Sequence, residues 1–245
     1  MRDIGVCVMF YTRLPIGRWL DGSDDFAAAQ WAAPLAGLLV GLCGGLAFWL
    51  LSAAGLASGL AAALGLGIVI VLTGALHEDG LADTVDGFGG GKTRRQKLDI
   101  MRDSRLGVYG ALALGLSLLI RWAALVQLAE PLPVLVALVA AHTASRAPIA
   151  GFVALVPPAR SDGLSAGVGQ IDNLTVLAAL GFGVLALLTA GLGFAVVAVA
   201  VLALWFFALK TLSERQIGGQ TGDVVGALQQ GGEILVLVIA AAMIG

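Results

Sequence analysis

Long apolar runs separated by short polar links dominate this sequence. A helix needs about 20 apolar residues to cross the hydrocarbon core of a bilayer. The pattern therefore predicts about seven transmembrane helices, the fifth and sixth of them short, at residues 31–53, 56–76, 107–129, 133–156, 174–191, 194–209 and 224–244. The links at 54–55, 130–132 and 192–193 are tight, so we expect the helices that they join to be antiparallel neighbours.

Composition indicates the same class of protein. Of the 245 residues, 59% are hydrophobic and 12% are charged, whereas a soluble domain has about 25% charged residues. This excludes a soluble globular protein and a disordered chain. The net charge of −2 gives no electrostatic basis for binding nucleic acid. We expect an all-α polytopic transmembrane helical bundle, with residues 1–245 forming a single integral membrane domain in the lipid bilayer.

The basic residues fall on one side of the predicted topology. Twelve of the 14 lysines and arginines precede span one or follow spans two, four and six, and the other two, Arg121 and Arg146, lie within spans. The positive-inside rule then places the N-terminus and the polar loop after span two in the cytoplasm. This predicts a multi-pass protein of the cell (inner) membrane whose active site faces the cytoplasm. The short apolar run at 4–11 lacks a cleavage site and predicts an interfacial or re-entrant segment.

Two ridges of small residues, each with a spacing of four, predict close packing between helices. One is on span one and the other is on span three; they consist of Gly37, Gly41 and Gly45, and of Gly107, Ala111 and Gly115.

Acidic residues cluster directly after span two. If this span continues as a helix, Asp79, Asp83 and Asp86 occupy positions i, i+4 and i+7 and share one face. Such carboxylates repel one another unless a cation lies among them, and hard oxygen ligands at this density suit Mg²⁺ or Mn²⁺. The alternative is a solvated face or a helix end.

A glycine-rich loop at 87–91 and a basic segment follow the acidic residues. The loop leads to Lys92, and Arg102 and Arg105 flank Asp103 just before span three. Arginines hold phosphate oxygens through bidentate contacts. Acidic residues with a divalent cation on one side and arginines on the other would grip a pyrophosphate, and phosphoryl transfer depends mostly on such positioning and charge neutralisation.

Three further polar features remain open between two interpretations. The patch at 218–223 before the last span is either a second part of the site, closing over the acidic cluster, or a flexible turn with an N-cap at Asp223. His142 and Arg146 lie at i and i+4 within span four, where a site role for Arg146 competes with a structural one. Arg121 either contributes to function or pairs with a carbonyl inside the bundle.

Several blocks in order along the chain resemble the cobalamin synthase family, the adenosylcobinamide-GDP ribazoletransferases. The matching blocks are FYTRLP at 10–15, LHEDGLADTVDGFGG at 76–90, IMRDSRLGVYG at 100–110, SR at 145–146, ARSDGL at 159–164 and GQTGD at 219–223. The acidic block and the RDSRxG block together are specific, and the acidic positions show no departure from the family pattern.

The resemblance implies a late step of cobalamin biosynthesis that requires Mg²⁺. The ribose 3′-hydroxyl of α-ribazole, or of its 5′-phosphate, attacks the phosphorus on the aminopropanol arm of adenosylcobinamide-GDP. GMP leaves, and adenosylcobalamin or its 5′-phosphate forms. The matching positions, together with Lys92 of the basic segment, give candidate metal ligands, a candidate base among Glu78, Asp83 and Asp86, and candidate substrate contacts. The ligands are Glu78, Asp79, Asp83 and Asp86, and the substrate contacts are His77, Lys92, Arg102, Asp103, Arg105, Arg146, Thr221 and Asp223.

Two rival functions use the same residue types. A CDP-alcohol lipid phosphotransferase also places aspartates on membrane helices, but its DGxxAR pattern is absent because Asp79-Gly80 is followed by Leu81-Ala82-Asp83. A cation transporter would carry its acidic residues near the membrane midplane, whereas this cluster begins where span two ends. The sequence leaves the oligomeric state open, a homo-oligomer included.

Overall fold

In lipid, main-chain N–H and C=O groups must be satisfied within the protein, so apolar segments fold as helices. The computed structural model describes residues 2–16, 25–162 and 167–245; there, all regular elements are helices apart from one isolated β-bridge between Pro158 and Gln220. The α-helices are α1 (Arg2–Tyr11), α2 (Phe26–Ala29), α3 (Ala33–Ala53), α4 (Ser58–Thr73), α5 (Leu76–Gly90), α6 (Arg94–Ile100), α7 (Val108–Leu128), α8 (Pro131–Arg146), α9 (Ile149–Leu155), α10 (Asn173–Leu188), α11 (Leu192–Ile217) and α12 (Gly222–Ile244).

The structure confirms a polytopic helical membrane bundle. Five helical segments of the described chain are long and apolar enough to cross a membrane, and the pair α4 and α5 would make a sixth; the five are Phe26–Ala53, Val108–Leu128, Pro131–Leu155, Leu192–Ile217 and Gly222–Ile244. The fifth span predicted from the sequence corresponds to α10, whose 16 residues fall short of the length that a perpendicular crossing needs. This helix accounts for the difference from the predicted seven.

A sharp bend separates α4 from α5. The two helices meet at 87°, because Gly74 and Ala75 both adopt left-handed backbone conformations, with φ of 64° and 57°. A side chain at Gly74 would also strike Arg13, whose backbone N–H donates to the Leu72 carbonyl at 2.7 Å. Span two therefore does not run straight into the acidic segment, although Asp79, Asp83 and Asp86 do lie on one helix. The acidic residues lie on a separate helix, and the predicted glycine-rich loop at 87–91 is helical as far as Gly90.

The core forms where α3 packs against α8 and where α12 packs against α5, α7, α8 and α11. On α3, a Cβ at Gly37 would lie 2.1 Å from the His142 carbonyl oxygen, and one at Gly41 would lie 2.6 Å from that of Leu138. The first small-residue ridge therefore packs as predicted. The second does not, because Ala111 and Gly115 are exposed and a Cβ at Gly115 would meet nothing within 4 Å.

Candidate active site

Three carboxylates from two helices come together at the end of the bundle that holds α5. Asp79 is exposed on α5, Asp83 is half-buried one turn later, and Asp223 lies in the first turn of α12. Asp83 is partly buried and is repelled by the charges of Asp79, Asp223 and Asp86. A carboxyl group in such company gains from a bound cation, because the cation offsets the repulsion.

The second polar patch closes over the acidic helix. Gly80 of α5 and Gly226 of α12 are in backbone contact, and a Cβ added at Gly80 would lie 2.8 Å from the Asp223 carbonyl oxygen. Thr221, which is fully buried, begins α12: its hydroxyl accepts from the Val224 N–H at 3.4 Å and donates to Asp223 at 3.1 Å. The N-cap is therefore Thr221, whereas the turn interpretation of the sequence placed the N-cap at Asp223. The Asp223 carboxylate is instead held by the Thr221 hydroxyl beside the acidic cluster.

Asp86 is held by the backbone of another helix. Its two carboxylate oxygens accept hydrogen bonds from the N–H groups of Gly107 and Gly110, at 2.8 and 2.9 Å. A Cβ on either glycine would come within 2.3 Å of this carboxylate. Asp86 thus caps α7 from a distance of 21 residues along the chain and interacts favourably with the positive end of that helix.

Glu78 points into the bundle, away from solvent. Nη1 of Arg121, a fully buried residue of α7, lies 3.0 Å from Glu78 and 2.9 Å from Glu233 of α12. Glu233 also lies 3.1 Å from His142 Nδ1 and accepts from Gln229 at 2.9 Å. The structure therefore pairs Arg121 with two carboxylates instead of a carbonyl, and this network ties α5 to α7, α8 and α12.

His77 and Arg146 connect this network to a cavity. Arg146 is buried and donates to the His142 carbonyl at 2.9 Å, and its Nη2 lies 3.5 Å from His77 Nδ1. On its other side the His77 ring stacks on Tyr11, with centroids 5.8 Å apart. Tyr11 in turn donates to Gln30 at 2.8 Å. Arg146 therefore contacts His77 from within the buried network.

The cavity lies in front of the carboxylates and has a volume of about 220 Å³. It is lined by α1, α2, α5, α9, α12 and the segment before α10, so that it brings together residues from distant parts of the chain. Its lining residues include Phe10, Tyr11, Phe26, His77, Asp79, Ile171 and Asp223. An apolar cavity with a few polar groups at reactive carboxylates is the usual form of a small-molecule site.

The predicted phosphate-binding arginines already have partners. Nη2 of Arg102 donates to both carboxylate oxygens of Asp162. Arg105 Nε lies 3.0 Å from each oxygen of Asp103, and this contact lowers the pKa of Asp103 to about 2. Both ion pairs are exposed and therefore weak. A phosphate group can thus displace the carboxylate from either arginine. Gly163 and Leu164, the end of the ARSDGL block, lie outside the described residues.

Lys92 lies apart from the carboxylates. It is exposed and lines a shallow depression with Gln96 and Asp99. Asp99 also borders a neighbouring depression of about 330 Å³ that Arg102 and Arg160 line together with the basic residues of α6. The structure therefore places Lys92 and Arg102 around one basic surface of α6.

Arg160 lies in the matching ARSDGL block but was not among the site residues predicted from the sequence. One of its terminal nitrogens lies 3.6 Å from Asp223, so it joins the basic depression to the acidic cluster. The strand-like contact between Ala159 and Gln220, with an N–H to O distance of 2.8 Å, places it there. The sequence signal for Arg160 was its position in a block that matches the family, at 159–164, as Asp223 lies in another at 219–223.

The donor set fits a magnesium ion that is shared with a substrate. Among the described residues, no group of three or more His, Cys, Asp or Glu side chains could hold a metal ion alone. Mg²⁺ usually binds one or two protein carboxylates together with substrate phosphates and water. Asp79 and Asp83 are the two acidic side chains of α5 that are neither bonded to backbone N–H groups nor paired with a buried arginine, and they offer such a pair.

These features define a class: a multi-pass helical membrane enzyme with clustered carboxylates, a cavity and a basic surface at one end of its bundle. A family model described as cobalamin-5-phosphate synthase matches residues 3–241. The chain belongs to this family and is a transferase of cobalamin biosynthesis.

Relatives match over nearly their whole length. An adenosylcobinamide-GDP ribazoletransferase of Mesorhizobium japonicum is 54% identical over 97% of this chain and 92% of its own length. Proteins of the same name from Bradyrhizobium diazoefficiens and Ralstonia nicotianae are 51% and 40% identical, over 98% and 96% of this chain and 93% of their own length in both cases. No solved structure matches the chain.

Proposed function

We propose that this chain transfers the adenosylcobinamide-phosphate group of adenosylcobinamide-GDP to the ribose 3′-hydroxyl of α-ribazole or of α-ribazole 5′-phosphate. The hydroxyl oxygen forms a bond to the phosphorus on the aminopropanol arm, the bond from that phosphorus to GMP breaks, and the hydroxyl proton passes to a carboxylate. The products are GMP and adenosylcobalamin or its 5′-phosphate. The observation that carries the proposal is the cluster of Asp79, Asp83 and Asp223 in a member of this family, beside a cavity that Asp79 and Asp223 line.

The carboxylates have two tasks, metal binding and contact with the acceptor hydroxyl, and Asp79 takes part in both. Asp79 and Asp83 would hold Mg²⁺, which supplies charge neutralisation for the pyrophosphate when bound. Asp79 and Asp223 line the cavity and are therefore the carboxylates within reach of an acceptor hydroxyl. Glu78 and Asp86, also candidates from the sequence, would position α5 instead, because Arg121 and the start of α7 already engage them.

The arginines would bind the donor's phosphates. Arg160 lies beside Asp223 at the border between the acidic cluster and the basic depression, and Arg102 lines the same depression. A pyrophosphate at this border would contact cations on one side and the metal-binding carboxylates on the other. Asp162 and Asp103, which hold Arg102 and Arg105 in the structure, would give way to phosphate oxygens, and Lys92 would widen the same basic surface.

The basic surface also supports the orientation. Positively charged residues are retained on the cytoplasmic side of membrane proteins, and α6 with its flanks carries six of them between residues 92 and 105. We place this end of the bundle in the cytoplasm and the protein in the cell inner membrane.

Purified protein tests the reaction directly. Incubation with adenosylcobinamide-GDP, α-ribazole and Mg²⁺ should release GMP and form adenosylcobalamin in equal amounts. Omitting α-ribazole should abolish both products. GMP release that does not depend on α-ribazole, or no release at all, would contradict the proposed transfer.

A further inference from the structure

Arg94, at the start of α6, contacts both segments that the isolated β-bridge joins. Its Nη2 donates to the Ala159 carbonyl at 2.8 Å. Its guanidinium also lies against Gly218, where an added Cβ would come within 2.9 Å of it. Gly218 ends α11 with a left-handed φ of 76°, a conformation that favours glycine. Arg94 therefore ties α6 to two segments that are distant from it along the chain.

The helix α6 itself does not need an arginine at this position. Its first turn is already capped, because Thr93 and Gln96 form a reciprocal capping box. Arg94 is the first residue of α6, and a positive charge at a helix N-terminus is unfavourable because it meets the positive end of the helix dipole. The benefit of Arg94 therefore lies in its contacts outside α6.

The contact with Ala159 lies directly before Arg160. The Ala159 N–H donates to the Gln220 carbonyl at 2.8 Å, and the Ala159 carbonyl accepts from Arg94, so both polar groups of this residue are held. The Arg160 side chain is held more loosely. Its Nη2 lies 3.6 Å from Asp223, and its Nη1 has no hydrogen-bond partner among the described residues. The place of the Arg160 guanidinium is therefore set mainly by the backbone at Ala159.

We propose that Arg94 is a positioning residue for the donor's pyrophosphate: by holding the Ala159 carbonyl, it places the Arg160 guanidinium at the border between the basic depression and the acidic cluster. This inference rests on the proposed function, in which Arg160 binds a donor phosphate. Asp223 is fixed separately, by the Thr221 hydroxyl and by the contact between α12 and α5. Loss of Arg94 should therefore weaken donor binding and leave the carboxylates in place.

A double-mutant cycle tests whether Arg94 acts through Arg160. GDP carries the pyrophosphate of the donor and is the probe, measured by calorimetry with Mg²⁺ on protein in lipid nanodiscs against empty nanodiscs. We expect Arg94→Met and Arg160→Met each to weaken GDP binding about tenfold, the scale of losing one charge-assisted hydrogen bond. The double variant should bind GDP like Arg160→Met, because the two changes disturb one contact. Additive losses, roughly a hundredfold in the double variant, would show that Arg94 contacts GDP itself and would overturn the positioning role.

Two further variants distinguish positioning from charge and from stability. Arg94→Lys keeps one donor for the Ala159 carbonyl and should bind GDP more tightly than Arg94→Met; equal binding by the two variants would contradict a role through this carbonyl. The control, Arg215→Met, removes an exposed cation in the last turn of α11, outside the basic depression, and should bind GDP like the wild type. Arg94→Met should unfold near the wild-type temperature. A large fall in its Tm with normal GDP binding would mean that Arg94 only stabilises the fold.

The reaction separates this inference from the proposed function. If both hold, Arg94→Met raises the KM for adenosylcobinamide-GDP and leaves the KM for α-ribazole near the wild-type value. If the wild type releases GMP in an acceptor-dependent manner and Arg94→Met binds GDP normally, the transfer stands and the positioning role is wrong. If the binding cycle is non-additive but the wild type releases no GMP, the positioning role stands and the proposed reaction is wrong. A wild-type protein that does not bind GDP would overturn the positioning role, since Arg160 would then hold no donor phosphate.

Discussion

Gly80 and Gly226 bring the backbones of α5 and α12 into contact, so that a Cβ on either residue would lie 3.1 Å or less from the other helix. This crossing unites the two parts of the site, because Asp79 and Asp83 flank Gly80 and Asp223 lies three residues before Gly226. In membranes, where lipid and side chains are equally apolar, such close approach is a main source of helix association.

Gly226→Ala should therefore impair catalysis by moving Asp223 away from α5. We expect GMP release to fall about tenfold or more, since small displacements of catalytic groups are costly. The matched control is Gly67→Ala on α4, where an added methyl group meets nothing within 4 Å. Wild-type turnover by the Gly226→Ala protein would show that the crossing does not set the geometry of the site.

Asp83→Asn should reduce turnover by about 10²-fold, the scale of losing one electrostatic stabiliser. The substitution keeps the shape of the side chain and removes the charge that favours Mg²⁺. The protein should fold normally, because the change relieves repulsion from Asp79 and Asp223. Glu130→Gln, at an exposed position just before α8 and at the end of α7 that is far from the acidic cluster, is the control and should leave turnover unchanged. Nearly normal activity of a folded Asp83→Asn protein would exclude Asp83 as a metal ligand.

Asp86→Ala should instead lower stability. Loss of the two hydrogen bonds to Gly107 and Gly110 removes the cap of α7, which is worth about 1–2 kcal/mol. Thermal unfolding in detergent should show a lower Tm for Asp86→Ala than for Asp83→Asn. If Asp86→Ala unfolds at the wild-type temperature and loses activity, Asp86 acts in chemistry and not as a cap.

The membrane orientation can be tested with single cysteines. α7 has 21 residues and is therefore about 30 Å long, which places its two ends on opposite sides of a bilayer. In a background of Cys7→Ala and Cys43→Ala, Arg95→Cys should react with an impermeant maleimide from the cytoplasmic side of sealed vesicles. Glu130→Cys should react only from the other side. Labelling of both from one side would contradict the orientation.

The sequence predicted the local features of this protein better than its long-range ones. The spacing of Asp79 and Asp83 placed them on one helical face, and the Gly37 ridge predicted a close helix contact, because both depend only on helical periodicity. The bend at Gly74 was missed, although a glycine there was a signal, because Ala75 adopts its left-handed conformation only in the folded chain. The pairing of Glu78 with Arg121 spans 43 residues and depends on how the helices dock, so no local pattern encodes it.

That pairing makes Arg121 important for stability. Arg121→Met would leave Glu78 and Glu233 without their shared cation in a buried setting, where breaking an ion pair costs about 3–5 kcal/mol. We expect a large drop in Tm in detergent and reduced insertion of folded protein. The triple variant with Arg121→Met, Glu78→Gln and Glu233→Gln removes the unpaired charges and should recover part of the lost stability. Because Glu78 would then position α5 only through packing, the triple variant should still turn over more slowly than the wild type. Full activity in the triple variant would mean that the network contributes nothing to the placement of Asp79 and Asp83.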